Sequence, residues 1–397
     1  MIMRRFRDKL KIAWLVALCI IGIINLTFFN VVKADEKPVN VKAAFMMDEK
    51  TGQILYQKNA TRKYAVASLT KILTLAVIME DIHKHKLDWD QEIQISKDVA
   101  KVADDWRFSN VPLIYNERYT VRSLIESMMI VSADGSTEAL ALADAGSVAA
   151  FNYKMKVVAK RAGVKNPEIY NMIGLSNGEL GNLKLPKIDD NQENQFSAKD
   201  MALISKYLID KYPEVLNITK TKYANFKISQ DNEIKMENII YMLEGMGYGP
   251  KKGTMDGLKT GKTDAAGYCY VGTGTFDNRR VITVVLDVPG EYSNQFIQTN
   301  NMIDTVFDKY QLVKINKNNL PKKYQKITIT SKKQKKKISV VPETDSALWL
   351  AKDQKLANLF PKLEVKKQNK LKKGSIVASL IYKLDNHSSV KINLQKK

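Results

Sequence analysis

The stretch Val66-Ala67-Ser68-Leu69-Thr70-Lys71 leads directly into an apolar run, Ile72 to Met79. Residues three apart on a helix share a face, so the hydroxyl of Ser68 and the amine of Lys71 are predicted to point at the same place. The run is apolar on nearly all sides, which predicts a buried central helix. Burial favours a neutral amine that could take the proton of a serine nucleophile, although S-x-x-K alone also fits a capping serine and a surface lysine.

Two further motifs favour the catalytic interpretation. Ser132-Ala133-Asp134 lies between helical segments 121–131 and 137–145, where an interhelix loop can present side chains. Lys259-Thr260-Gly261 enters a stretch rich in Tyr, Val and Thr that predicts strands. The order of S-x-x-K, an S-x-N-like triplet and K-T-G approximates the active-site set of penicillin-binding proteins and class A β-lactamases.

Longer stretches extend this similarity from about residue 40 to 310: Met46-Met47-Asp48 with Thr51-Gly52, Val66 to Lys71, Asn171-Met172-Ile173-Gly174-Leu175, Phe196-Ser197-Ala198-Lys199-Asp200-Met201, and Asp256 to Thr263 with Ala266-Gly267-Tyr268. The chain resembles the serine-type D-alanyl-D-alanine carboxypeptidases, which are low-molecular-mass penicillin-binding proteins of the peptidase S11 family. The resemblance implies an enzyme that removes the terminal D-alanine from peptidoglycan stem peptides and is acylated by β-lactam antibiotics. It implies neither a metal nor an organic cofactor.

The resemblance also implies roles for the motif residues. Ser68 is the nucleophile that forms the acyl-enzyme, Lys71 is its general base, and Ser132 relays a proton to the leaving amine. The substrate-binding residues are Lys259 and Thr260, which hold the terminal carboxylate, together with Gly261 and Asp134. The oxyanion hole uses the backbone N–H groups of Ser68 and Lys262.

Asp134 departs from the family pattern, which usually has asparagine at this position. A carboxylate accepts hydrogen bonds but cannot donate them as an amide does. If Asp134 faces Lys71, it favours the charged ammonium over the neutral base. Both a fully active enzyme and a weak or acyl-trapping one are compatible with this substitution.

Two other functions remain as alternatives. One is a cell-wall-binding or penicillin-binding protein whose catalysis is impaired. The other is a β-lactamase, which would use a glutamate in an E-x-x-x-N loop, but Glu168 and Asn171 are one residue too close together. A Ser-His-Asp triad lacks a good base, because His83 and His85 lie in a strongly charged segment and His387 is the only other histidine.

The first 34 residues predict export. Five basic residues precede an apolar stretch, Ile12 to Phe29, and Val32-Lys33-Ala34 fits cleavage before Asp35. The apolar stretch is longer than that of most signal peptides, so an uncleaved membrane anchor is the alternative. Either way, the protein is expected to be extracellular or associated with the cell envelope.

Positive charge is concentrated at the C-terminal end. Residues 311–397 contain twenty-two basic and five acidic residues, a net charge of +17 within a total of +21. Clustered lysines attract polyanions, and an exported enzyme rarely meets nucleic acid, so an anionic cell-wall polymer or a membrane surface is the expected partner. A solvated lysine-rich edge that keeps strands from pairing explains the same pattern.

These observations predict an α/β fold. The expected architecture is a β-lactamase/transpeptidase-like sandwich, with a central sheet, helices and a helical subdomain, followed by a small β-rich domain. The predicted divisions are a signal peptide or anchor at 1–34, a catalytic domain at 35–312 and a basic β-rich domain at 313–397.

Overall fold

The computed structural model describes residues 38–331, 334–366, 372–384 and 388–397. The predicted signal peptide or anchor, residues 1–34, lies outside them. No helix among the described residues has the length and apolar character to cross a membrane.

The chain alternates strands and helices before ending in strands. The strands are β1 Ala43–Asp48, β2 Ile54–Lys58, β3 Lys63–Ala65, β4 Glu92–Gln94, β5 Arg118–Thr120, β6 Gln195–Ser197, β7 Tyr223–Ser229, β8 Asn232–Glu237, β9 Thr254–Thr263, β10 Gly267–Phe276, β11 Arg279–Val288, β12 Tyr310–Lys314, β13 Lys326–Ser331, β14 Gln334–Pro342, β15 Ala347–Ala351, β16 Lys362–Val365, β17 Ile376–Lys383 and β18 Ser389–Lys396. The helices are α1 Thr70–His83, α2 Lys97–Asp104, α3 Val121–Ile130, α4 Asp134–Ala145, α5 Val148–Arg161, α6 Ala198–Lys211, α7 Val215–Thr219, α8 Asn294–Lys309 and α9 Lys322–Gln325, with 3₁₀ turns at Ala67–Leu69, Asn177–Leu183 and Leu356–Asn358.

The central sheet is antiparallel and has the strand order β2-β1-β11-β10-β9. Strand β1 pairs with β11, from Ala43 opposite Leu286 to Asp48 opposite Val281. The first strand of the chain is thereby joined to strands that come more than 200 residues later, after the helical middle. The α/β fold class predicted from the sequence is confirmed.

Helix α1 is the centre of the helical part. Twelve of its fourteen residues are buried, and α4, α5 and α6 pack against it. This agrees with a sequence that is apolar on nearly all sides, because a helix without a polar face must be surrounded. Its first turn is therefore held rigidly from several directions.

The C-terminal part forms a second antiparallel sheet, in the order β13-β14-β18-β17-β16, with its own apolar core. Strands β12 and β15 pair with each other, and β12 spans the predicted boundary at residue 312. In the sequence, β-branched residues alternate or cluster at 326–330, 337–341, 375–384 and 390–394, which predicts four strands, and β13, β14, β17 and β18 lie at these positions. Strand β15 was not predicted because its residues ALWLA form a short continuous apolar run without alternation.

A buried polar network, formed by Asp48, Gln53, Arg279 and Trp349, connects the C-terminal strands to the central sheet. Arg279 donates to Asp48 from Nη2 at 2.6 Å and from Nε at 3.0 Å, and Trp349 donates from Nε1 to the same carboxylate at 2.9 Å. The side-chain amide of Gln53 exchanges two hydrogen bonds with the backbone of Trp349, at 2.6 and 2.9 Å. We call these four residues the Asp48 network.

Candidate active site

Ser68 lies on the 3₁₀ turn that leads into α1. The preceding residue, Ala67, has a positive φ of 47°, which is unusual for a residue with a side chain. Gly174 packs against this turn, and a Cβ atom at that glycine would lie 1.9 Å from the carbonyl oxygen of Ala67. The Asn-x-x-Gly-Leu stretch therefore helps to hold the turn that carries Ser68.

Lys71 is the centre of the site. Its side chain is fully buried, and its Nζ lies 2.7 Å from Ser68 Oγ, 2.6 Å from Asp134 Oδ1 and 3.1 Å from the carbonyl oxygen of Ile173. The structure thus brings Ser68, Lys71 and Asp134 into one row of hydrogen bonds. The sequence left open whether Asp134 faces Lys71. In the structure the two side chains are in contact.

The loop with Ser132 connects α3 to α4. Ser132 is buried and has a φ of 65°, and Asp134 begins α4. The backbone N–H of Asp134 donates to Ser109 at 2.8 Å, and the N–H of Gly135 donates to Asn110 Oδ1 at 2.9 Å. The neighbouring segment 109–110 therefore fixes the loop from outside the motif.

Strand β9 carries Lys259, Thr260, Gly261 and Lys262 beside the Ser68 turn. A Cβ atom at Gly261 would lie 2.9 Å from the carbonyl oxygen of Val66 and 3.1 Å from the backbone nitrogen of Ser68. Glycine is therefore required for close approach of strand and turn. This approach brings the backbone of β9 at Gly261 next to that of Ser68.

Burial changes the titration of several groups here. Lys259 is fully buried, and burial, followed by the nearby charge of Lys71, holds its pKa well below the usual value. Burial also raises the pKa of Asp134, although the charge and hydrogen bond of Lys71 oppose this effect. Burial and the charge of Asp134 together raise the pKa of Glu138 to about 8.

Sequence reasoning missed three contributors to this site. Glu138 is one turn after Asp134 on α4, is fully buried and has no hydrogen-bond partner among the described residues on either carboxylate oxygen. Ile173 contributes its carbonyl oxygen because Asn171 Oδ1 accepts from the N–H groups of Ile173 and Gly174, which closes a tight loop. Asn110 supports the Asp134 loop. Only the spacing of four between Asp134 and Glu138 could have been noticed in advance.

Cys269 is a buried residue of β10, paired opposite Gly261. Burial raises the pKa of its thiol to about 12, which keeps it protonated and unreactive at neutral pH.

Comparison with known proteins identifies relatives of this chain. Residues 30–290 match the family model described as D-alanyl-D-alanine carboxypeptidase. The D-alanyl-D-alanine carboxypeptidase DacF of Bacillus subtilis is 28% identical over 389 residues, which covers 94% of this chain and 90% of that protein.

Two solved structures are also similar. The peptidoglycan synthesis regulatory factor PBP3 of Streptococcus pneumoniae has a TM-score of 0.79 at 28% identity, covering 91% of this chain and all of that one. Penicillin-binding protein D2 of Listeria monocytogenes, in its cefotaxime-bound form, has a TM-score of 0.56 at 28% identity, covering 68% of this chain and 98% of that one.

Proposed function

Because this chain belongs to the family of serine D-alanyl-D-alanine carboxypeptidases, we propose that it removes the terminal D-alanine from peptidoglycan stem peptides through an acyl-enzyme on Ser68. The observation that carries the assignment of the nucleophile is the 2.7 Å contact between Ser68 Oγ and the buried Lys71 Nζ. A serine within hydrogen-bond reach of a base that is itself held by a third group is the arrangement of an activated nucleophile.

Acylation follows from this arrangement. Lys71 takes the proton of Ser68 as Oγ bonds to the carbonyl carbon between the two D-alanines. The N–H groups of Ser68 and Lys262 stabilise the oxyanion, and Ser132 relays a proton to the leaving amine. Water then hydrolyses the ester and regenerates Ser68.

Lys259 and Thr260 are proposed to bind the free carboxylate at the end of the peptide. Lys259 Nζ donates to the backbone carbonyl of Thr260 at 3.0 Å and is fully buried. A buried amine with a depressed pKa becomes an ammonium more readily when an anion binds beside it. The site therefore favours a peptide that ends in a free carboxylate.

The first test uses two peptides of the same composition, one ending in D-Ala-D-Ala and the other in D-Ala-L-Ala, with protein lacking residues 1–34. We expect D-alanine to be released from the first peptide and little L-alanine from the second. We also expect a fluorescent penicillin to label the protein covalently and block release. Labelling without release would instead support the catalytically impaired alternative, and rapid loss of the label would support a β-lactamase.

We also propose that the protein is exported and that its catalytic domain, which ends at residue 312, is followed by a separate domain that begins at residue 313. The substrate lies in the cell wall, which requires segment 1–34 to direct export, whether it is then cleaved or kept as an anchor. The domain at 313–397 is proposed to hold the enzyme on an anionic cell-wall polymer. Lysines line a groove of about 530 Å³ in this domain: Lys317, Lys322, Lys323, Lys326, Lys337 and Lys397.

Attraction between exposed charges is screened by salt, which gives a prediction for this groove. We expect retention of the purified protein on cell walls to fall about ten-fold as salt rises from about 0.05 M to 0.5 M. Lys322→Gln, Lys326→Gln and Lys337→Gln together should give the same loss at low salt. The control replaces Lys352, Lys355 and Lys383, which are exposed outside the groove, and changes the net charge equally. Equal losses in both triple variants would rule out a specific groove.

A further inference from the structure

Asp134 accepts a hydrogen bond from Lys71 through a carboxylate oxygen, and the amide oxygen of an asparagine at this position could accept the same bond. Its side chain is only 4% exposed, and its Oδ1 lies 2.6 Å from Lys71 Nζ, which lies 2.7 Å from Ser68 Oγ. Carboxylate, amine and hydroxyl are therefore linked without an intervening group. A carboxylate can take up a proton along this row, whereas an amide cannot.

The surroundings of Asp134 disfavour the charged form of its carboxylate. Its position in the first turn of α4 favours the anion, but burial disfavours it, and the net effect raises its pKa. An ion pair that has lost its water converts to the neutral acid and amine at a smaller cost than it does in solvent. The charged and titratable groups that act here come from several elements: Lys71 of α1, Lys259 of β9, Glu179 of the 3₁₀ segment and Glu138 of α4, the last of which also feels Asp98 of α2.

We propose that Asp134 is the terminal proton acceptor of the acylation step. Lys71 passes one ammonium proton to Asp134, and the amine so formed takes the proton of Ser68 as Oγ bonds to the substrate carbonyl. This inference rests on the proposed serine chemistry. It gives a catalytic role to the carboxylate that Asp134 has in place of the asparagine expected from the resemblance.

The protons balance over the step. After attack, Lys71 is again an ammonium, and it gives a proton through Ser132 to the nitrogen of the breaking C–N bond. Asp134 then returns its proton to Lys71. The leaving amine has gained the proton that Ser68 lost, and both Lys71 and Asp134 end in their starting states.

Asp134→Asn tests the proposal because the amide keeps the shape and can still accept from Lys71 but cannot take a proton. We expect acylation by a chromogenic cephalosporin at about pH 7 to be roughly 10- to 100-fold slower, because Lys71 must then lose a proton to solvent. The difference in acylation rate between wild type and Asp134→Asn should narrow towards about pH 9, where hydroxide removes the proton from Lys71. A purely structural role would lower the rate equally at every pH.

Wild-type protein gives a second measurement that does not depend on a variant folding. Its acylation rate should not depend on pH between about pH 7 and 9, because the proton moves within the site. A rate that keeps rising about ten-fold per pH unit from pH 7 to 9 would overturn the proposal.

Equal or faster acylation by Asp134→Asn at all pH values would overturn it as well. Asp90→Asn is the control, since it removes an acid whose side chain is 82% exposed and which is not one of the charged groups that act at Asp134, and it should keep the wild-type profile. Acylation of wild-type Ser68 is measured in the same experiment. Failure of this inference is therefore distinguishable from failure of the proposed function.

Discussion

Replacing Ser68 with alanine should reduce D-alanine release by at least about 10³-fold and abolish covalent labelling by penicillin. The substitution removes only Oγ, the atom that lies 2.7 Å from Lys71 Nζ. The turn is held by backbone packing against Gly174 and Gly261, so the fold should persist. The residual turnover should show no burst of product, because no ester can form. Intact-protein mass spectrometry after incubation with penicillin gives the readout.

Two controls distinguish loss of the nucleophile from loss of the site. Ser229→Ala, in the hairpin between β7 and β8, removes a hydroxyl that takes no part in the proposed chemistry and should keep full activity. Noncovalent binding of a D-Ala-D-Ala peptide to Ser68→Ala should persist, because Lys259 and Thr260 remain. Normal labelling of Ser68→Ala would show that another residue is the nucleophile.

The central features of the fold were predictable because they depend on local patterns. Helix α1 follows from an apolar run that has no polar face, and strands β10 and β11 follow from dense β-branched residues around the Asp277-Asn278 turn. The three motifs could be placed at the start of a helix, in a loop and on a strand for the same reason, but the sequence did not predict that Ser68 lies on a 3₁₀ turn before the helix. The expectation that the three motifs meet in one site rested on the resemblance to a family. No local pattern specifies that β9 lies against the turn carrying Ser68.

The missed parts of the site depend on tertiary contacts. Ile173 acts through its backbone oxygen, which has no sequence signature, and Asn171 is needed to present it. Glu138 looks like an ordinary helical glutamate, and only its neighbours in the fold make it buried. The contact between Asp134 and Lys71 could not be predicted from the sequence, since 63 residues separate the two partners.

Breaking the Asp48 network should give the largest change in stability. Arg279→Ala leaves the fully buried carboxylate of Asp48 without its cation, and we expect the free energy of unfolding to fall by about 3–5 kcal/mol. Arg280→Ala is the matched control. It removes the neighbouring arginine from an equally close pair with Asp256, but that pair is about one-fifth exposed. The expected cost there is about 1 kcal/mol. Urea unfolding at pH 7 measures both.

The effect of Arg279→Ala should also depend on pH. Burial opposes ionisation of Asp48, but the hydrogen bonds and charge of Arg279, with bonds from Thr51 and Trp349, lower its pKa overall. A carboxyl whose pKa is lower in the folded than in the unfolded state stabilises the fold above the unfolded value, about 4, and this contribution is lost as pH falls through the folded value. In Arg279→Ala burial is no longer offset by Arg279, so Asp48 takes up a proton at a higher pH than in wild type. The stability difference between wild type and Arg279→Ala should therefore shrink steadily as pH falls from neutral towards the folded pKa of Asp48 in wild type. A difference that stays constant through acid would mean that Arg279 acts through packing rather than charge.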